Sequence, residues 1–214
     1  MTPAILMSSR AGGRYLACLV GCGLVCALCS PYGLKIDWAA NHPAVVMGVP
    51  ELSATLLTSV GVIVLRPRMW IIDRLGTPRR RWIPSTGAAL ATIGGPQLAL
   101  VLAAATAPRR DTWPLSATTM LFLAALAVLV SPFIGALRAG SLTLLLYFGL
   151  TITAQLAPAI GAWSPVAVIN WPEIEPLSSD RIALAAAMTV AALAVTVHTL
   201  GRTMRTWGQD LDTA

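Results

Sequence analysis

Arg66-Pro-Arg-Met-Trp-Ile-Ile-Asp-Arg-Leu-Gly-Thr-Pro-Arg-Arg-Arg-Trp82 is the one long polar run among segments apolar enough to span a bilayer. Of the 15 basic residues in the chain, Arg66, Arg68, Arg74, Arg79, Arg80 and Arg81 all fall here. Short loops rich in arginine stay on the cytoplasmic side during insertion, so this run sets the orientation of everything around it. It also holds a small element with its own punctuation. Pro67 suits the first turn of a helix, and Gly76-Thr77-Pro78 suits its stop. At about 100° per residue, Ile71, Ile72 and Leu75 share one side while Trp70, Asp73 and Arg74 face the other. The spacing predicts a short cytoplasmic helix over Pro67–Leu75 that rests Ile71, Ile72 and Leu75 on the membrane domain. Its other side offers Trp70 between two charges to the cytosol. The competing reading is an interfacial helix, with its arginines on anionic headgroups and Trp70 as the anchor.

Composition sets the class. Charged residues make up 11% and apolar residues 56% of the chain, against roughly 25% and 45–50% in soluble domains. Several apolar stretches approach ~20 residues, so the expected fold is an all-α integral membrane protein. A length of 214 residues leaves room for one transmembrane domain and little else. The formal charge of +6 does not point to nucleic acid, because the basic groups stand where membrane topology wants them. Two histidines, His42 and His198, are too few to build a histidine-based metal site alone.

In chain order, residues 1–14 read as a cytoplasmic tail, residues 15–200 as a six-helix transmembrane domain and residues 201–214 as a second cytoplasmic tail. The first span runs from Tyr15 to about Ser30. A basic leader before an apolar run is also the outline of a signal peptide, but five apolar segments follow, which favours an uncleaved span. Leu19-Val20-Gly21-Cys22 has the look of a lipoprotein cleavage box, yet too few apolar residues precede it. All 4 cysteines lie in this span, and Cys18, Cys22, Cys26 and Cys29 share one helix face. Thiolates bind soft metals such as Cu(I). A stripe of small, slightly polar residues also lets a neighbouring helix approach closely, and nothing else in the chain supplies soft ligands, so packing is the favoured reading.

The second span runs from about Ala44 to Leu65 and contains Pro50-Glu51. Either the helix is broken at Pro50 or Ala44–Val49 enters the membrane as irregular structure. Both cases put Glu51 near a helix amino terminus, where the dipole favours a carboxylate. The functional alternative is that an ionisable group at membrane depth lines a pathway or gate. The third span, about Ile83 to Ala107, is interrupted by Gly94-Gly95-Pro96-Gln97, which predicts a kink. The fourth runs from about Leu115 to Leu137, with a turn at Arg138-Ala139-Gly140, and the fifth from about Ser141 to Ala162. Gln97 and Gln155 join Glu51 as candidate pathway or gate residues. Trp163–Asp180 is a long, apolar outer loop with the character of a partly re-entrant segment. Ser178-Ser179-Asp180 caps the sixth span, about Arg181 to Leu200.

Charge checks the orientation. Eleven basic residues lie on the expected cytoplasmic side: Arg10, Arg14, the six of the basic run, Arg138, Arg202 and Arg205. Lys35, Arg109, Arg110 and Arg181 lie on the other. Six spans with both termini inside satisfy the rule. Catalytic motifs are missing: there is no Gly-x-x-x-x-Gly-Lys-Ser/Thr, no His-Glu-x-x-His and no Gly-x-Ser-x-Gly. This argues against an enzyme.

The order of parts resembles the membrane subunit of a type-2 ABC exporter, especially the small permeases of actinobacterial operons. Val49-Pro-Glu-Leu52 opening the second span, Arg109-Arg-Asp-Thr-Trp-Pro-Leu115 before the fourth and Asn170-Trp-Pro172 before the last carry the local likeness. The resemblance implies six spans and a coupling helix between spans two and three that docks on a separate ATPase. It also implies re-entrant outer helices between spans five and six. Trp70, Asp73 and Arg74 would then contact the ATP-binding subunit, which holds the ATP, while this chain holds no cofactor. A second six-helix permease chain, identical or related, would complete the pathway in a bacterial cell membrane. Few charges within the spans point to an apolar or amphipathic cargo such as a drug, lipid or peptide. The alternative class is a non-transporting membrane protein, such as an immunity factor or an assembly subunit.

Overall fold

A computed structural model describes residues 12–29, 32–36, 45–66, 78–106, 113–156 and 178–200. The expected coupling helix Pro67–Leu75, the outer segment 163–177, most of the first tail and all of the second lie outside the described residues. Six helices make up nearly all of what is described: α1 (Gly12–Leu28), α2 (Val49–Val64), α3 (Pro78–Thr106), α4 (Trp113–Ile134), α5 (Ala136–Leu156) and α6 (Ser179–Thr199). Four stretches are long and apolar enough to cross a membrane: Ile83–Thr106, Pro114–Ile134, Ala136–Thr153 and Ser179–Thr199. The other two of the six expected spans, Gly12–Leu28 and Val49–Val64, form apolar helices that are shorter. At 16 residues, α2 reaches about 24 Å, short of a hydrocarbon core of about 30 Å.

The apolar surface agrees with a helical multi-pass membrane protein. On α1, Leu16, Val20, Leu24 and Leu28 form an exposed stripe at four-residue spacing, while Tyr15 and Cys26 are buried. Leu137 and Leu145 of α5 and Val190 of α6 are likewise exposed. Such a coat of large apolar side chains suits hydrocarbon rather than water.

Cross-helix contacts give the direction of each helix. Tyr15 Oη donates to the Ala91 carbonyl (2.8 Å) and Thr106 Oγ1 to the Ala27 carbonyl (3.1 Å), so α1 runs with α3. Cys22 Sγ donates to the Ser53 carbonyl (3.3 Å) and Cys26 Sγ to the Pro50 carbonyl (3.6 Å), so α2 runs against α1. Thr55 Oγ1 meets Met120 Sδ (3.3 Å) one turn beyond the contact of Glu51 with Ser116, so α4 runs with α2. Ser59 Oγ donates to the Gly140 carbonyl (2.9 Å), while Tyr147 packs with Met47 at the other end of α2, so α5 runs against α2. Ser85 Oγ, near the start of α3, donates to the Leu200 carbonyl (2.8 Å) just past the end of α6. The six helices therefore alternate up and down. Arg14, Arg66 and Arg138 lie at one end of the bundle, and Lys35 and Arg181 at the other.

Three boundaries differ from the sequence reading. Val45–Gly48, expected either as the head of a span broken at Pro50 or as irregular chain, is a strand (β2) paired antiparallel with β1 (Gly33–Ile36), Gly33 opposite Gly48 and Ile36 opposite Val45. The helix can begin only at Val49, because Pro50 then falls in the first turn, where its missing N–H costs nothing. This two-stranded ribbon of 4-residue strands is a small addition to a structure that is otherwise helical. Next, α3 starts at Pro78 rather than Ile83, so Arg79–Trp82 are helical, and it continues unbroken through Gly94-Gly95-Pro96-Gln97. Pro96 nonetheless leaves the Thr92 carbonyl without its ladder donor. Finally, α4 and α5 are parted by Gly135 alone, not by Arg138-Ala139-Gly140. Gly135 has φ +89, a backbone state that side chains disfavour, and this single residue turns the chain. The expected cap of the last helix is present: Ser178 accepts a bond from the Arg181 N–H (3.4 Å).

Candidate functional site

Glu51 sits in the first turn of α2, as the Pro50-Glu51 pair predicts. Its residue N-terminal cap is Gly48, which has no side chain to offer, so the carboxylate itself folds back to accept a bond from the Gly48 N–H. This is the reaching-back half of a capping box. The same carboxylate accepts a second bond, from Ser116 Oγ in the first turn of α4. No cation pairs with Glu51 among the described residues. The helix amino terminus and these two donors are the polar partners of the carboxyl group.

Around it the packing is dense. Met47, Met120 and Leu123 are almost wholly buried and form one cluster with Ala54, Leu100 and Tyr147. Thr55, one turn after Glu51, is fully buried; its Oγ1 also donates to the Glu51 carbonyl (2.8 Å). The site is thus assembled from the junction of β2 with α2, from the first turns of α4 and from the second half of α5.

Gln97 approaches the same part of α4 from α3. With its amide oriented by its partners, the nitrogen donates to the Ala117 carbonyl (3.2 Å) and the oxygen accepts from the Leu121 N–H (3.0 Å). Two of the three candidate gate residues, Glu51 and Gln97, therefore meet α4 within two turns of each other. Gln155 is in the last turn of α5, but its side chain lies outside the described residues. Trp70, Asp73 and Arg74 lie outside them as well.

The cysteine stripe divides. Cys18 is exposed, whereas Cys22 and Cys26 bind the Ser53 and Pro50 carbonyls and sit 3.9 Å apart at sulfur. The two thiols act as α1's contact with the first turns of α2, which is the packing role expected of them.

Ser116, Thr55, Met47, Met120 and Tyr147 were not singled out by sequence. A serine and a methionine four residues apart in an apolar helix carry no motif. Only the neighbouring Trp113-Pro114-Leu115 drew notice, for its likeness to permeases.

Glu51→Gln keeps one oxygen for Ser116 but replaces the other with an NH2 group, which cannot accept from the Gly48 N–H. Thermal unfolding in detergent should show a loss of about 1 kcal/mol. An unchanged midpoint would mean that the carboxylate does not hold this junction.

Compared with protein-family models, with curated proteins and with solved structures, the chain matches none.

Proposed function

We propose that the chain is the permease subunit of an ATP-driven ABC exporter in a bacterial cell membrane. In this reading all six helices cross the bilayer, with α1 and α2 reaching through locally thinned lipid. Both termini and the basic run 66–82 lie in the cytoplasm. Trp70, Asp73 and Arg74 dock on a separate ATP-binding subunit, and a second permease chain completes the pathway. The cargo is apolar or amphipathic.

The observation that supports the reading is the pairing of an alternating six-helix bundle with arginines gathered at one end and a buried polar layer toward the other. At one end stand Arg14, Arg66 and Arg138, with the Arg79–Arg81 backbone beginning α3 beside them. That is the cytoplasmic signature. Toward the other end, Glu51, Ser116 and Gln97 form a polar layer within apolar helices. Polar groups are expensive there and are kept for pathways and gates. The resemblance of the loop motifs to permeases adds the class of transporter.

Two measurements test this. Impermeant thiol reagent applied outside intact cells should label Lys35→Cys and not Thr77→Cys; the reverse pattern ends the topology and the coupling argument with it. Purification in mild detergent should recover an ATPase with a phosphate-binding loop. A chain that brings down no such subunit is a non-transporting membrane protein instead.

A further inference from the structure

The buried hydroxyls of this bundle mostly serve their own helices. Thr58, Thr92, Thr143 and Thr196 each donate to the carbonyl four residues earlier, of Ala54, Ala88, Ala139 and Ala192. Such bonds hold no neighbour in place. The start of α4 is different. Residues 116, 117, 120 and 121 are all engaged from other helices: Ser116 by Glu51, Ala117 and Leu121 by Gln97, Met120 by Thr55.

We propose that the first two turns of α4 form a polar latch, held against α2 by Glu51 and against α3 by Gln97, which can release while the rest of α4 stays packed. Three features of the geometry make it releasable. Gln97 addresses the two atoms of one backbone rung, the Ala117 carbonyl and the Leu121 N–H, which can otherwise bond to each other. The turn of α3 that bears Gln97 is weakened by Gly94, Gly95 and Pro96, the last of which supplies no ladder donor. Beyond Leu121 the hold on α4 is apolar. Ala124, Ala125, Ala127 and Val128 pack into a core with Val62, Ala89, Ile93, Ala139 and Ala192. Close packing of small residues resists separation, whereas a hydrogen bond between helices in lipid is exchanged at modest cost because released groups find other partners. The first turns of α4 also bury Leu115 and Met120, but they are the part whose hold includes exchangeable bonds to α2 and α3, and so the part able to move.

On the α1 side, α2 has no such freedom. Cys22 and Cys26 hold its Ser53 and Pro50 carbonyls, and the ribbon continues directly into its first turn through the Val49 N–H bond to the Tyr32 carbonyl (3.3 Å). Release therefore opens a gap between α4 on one side and α2 with α3 on the other. Only the link from that gap to export rests on the permease reading.

Hydrogen exchange of the full chain in lipid nanodiscs tests the latch. Gln97→Leu removes both bonds to α3 with little change of volume, and Ser116→Ala removes the bond to Glu51. Each should raise exchange of the amides in residues 114–122 about three- to tenfold, leaving residues 124–134 as in the wild type. Unchanged exchange at 114–122 in both variants overturns the latch. So does a rise spread evenly along α4, which would mean that the contacts support packing of the whole helix. If Gln97→Leu does not fold, Ser116→Ala alone decides by the same two criteria. The outcome is separable from the proposed function: the local rise in a chain that captures no ATPase keeps the latch and removes the permease.

Discussion

Gly140→Leu is expected to destabilise the bundle by about 1–3 kcal/mol or more, the cost of forcing side-chain atoms into a closed interface. At this point α5 crosses α2 so closely that a Cβ on residue 140 would stand 3.1 Å from the Ser59 carbonyl oxygen and 3.2 Å from Ile63 Cδ1. Ile63 can turn aside, but Ser59 presents main chain. Ser59 Oγ also donates to the Gly140 carbonyl across the same contact, so separating the helices breaks that bond too. Gly140→Ala should fall between, because one methyl asks for a shift of a few tenths of an ångström. Midpoints of thermal unfolding in detergent would give the order wild type, alanine, leucine. A leucine variant as stable as the wild type would show that α2 and α5 do not meet here.

This crossing and the Glu51–Ser116 bond divide the labour on α2. Near its carboxyl end α2 is held by close contact at Gly140, which leaves little room for motion. At its amino end the contact with α4 is polar and exchangeable. With Cys22, Cys26 and the ribbon also holding its amino end, α2 is the fixed partner at this contact.

Some of this was legible in the sequence because each signal was local. Apolar length marked the helices. Ser178 two residues before Asp180 marked a cap. Pro50 before Glu51 placed a carboxylate at a helix start, since a first turn accepts proline without losing a hydrogen bond. Other features were hidden for stated reasons. The strands Gly33–Ile36 and Val45–Gly48 are 4 residues each, too short for a period-2 pattern to stand out from apolar surroundings. Charge and glycine coincide at Arg138-Ala139-Gly140 and point to a turn there, while the chain turns at Gly135 by backbone conformation alone. The role of Gln97 was half visible: an amide in a span asks for a partner, but its partners are backbone atoms of Ala117 and Leu121, which leave no trace in residue type. Ser116 is one of many small polar residues in the spans, and only three-dimensional adjacency to Glu51 separates it from the rest.

The other large expected effect concerns the ATPase contact. In the proposed coupling helix Pro67–Leu75, helical spacing would set Trp70, Asp73 and Arg74 opposite Ile71, Ile72 and Leu75, so that an aromatic and an arginine would share the side turned from the membrane domain. Such residues carry much of the energy of protein interfaces, and replacing Trp70 by alanine or Arg74 by glutamate should cost ~2 kcal/mol or more. At that size affinity falls roughly thirtyfold, enough to lose a partner on a column. The interfacial-anchor reading predicts a different dependence. There Arg79, Arg80 and Arg81 matter most, through ~1 kcal/mol of headgroup attraction each, and that attraction is largely absent in detergent. The decisive comparison is therefore Trp70→Ala with Arg74→Glu against a triple Arg79/Arg80/Arg81→Gln, both scored by ATPase recovery in detergent. The double variant should lose the ATPase and the triple variant should keep it. If the double variant recovers as much ATPase as the wild type, Pro67–Leu75 does not couple this chain to an ATPase, and the charge run is left with lipid as its partner.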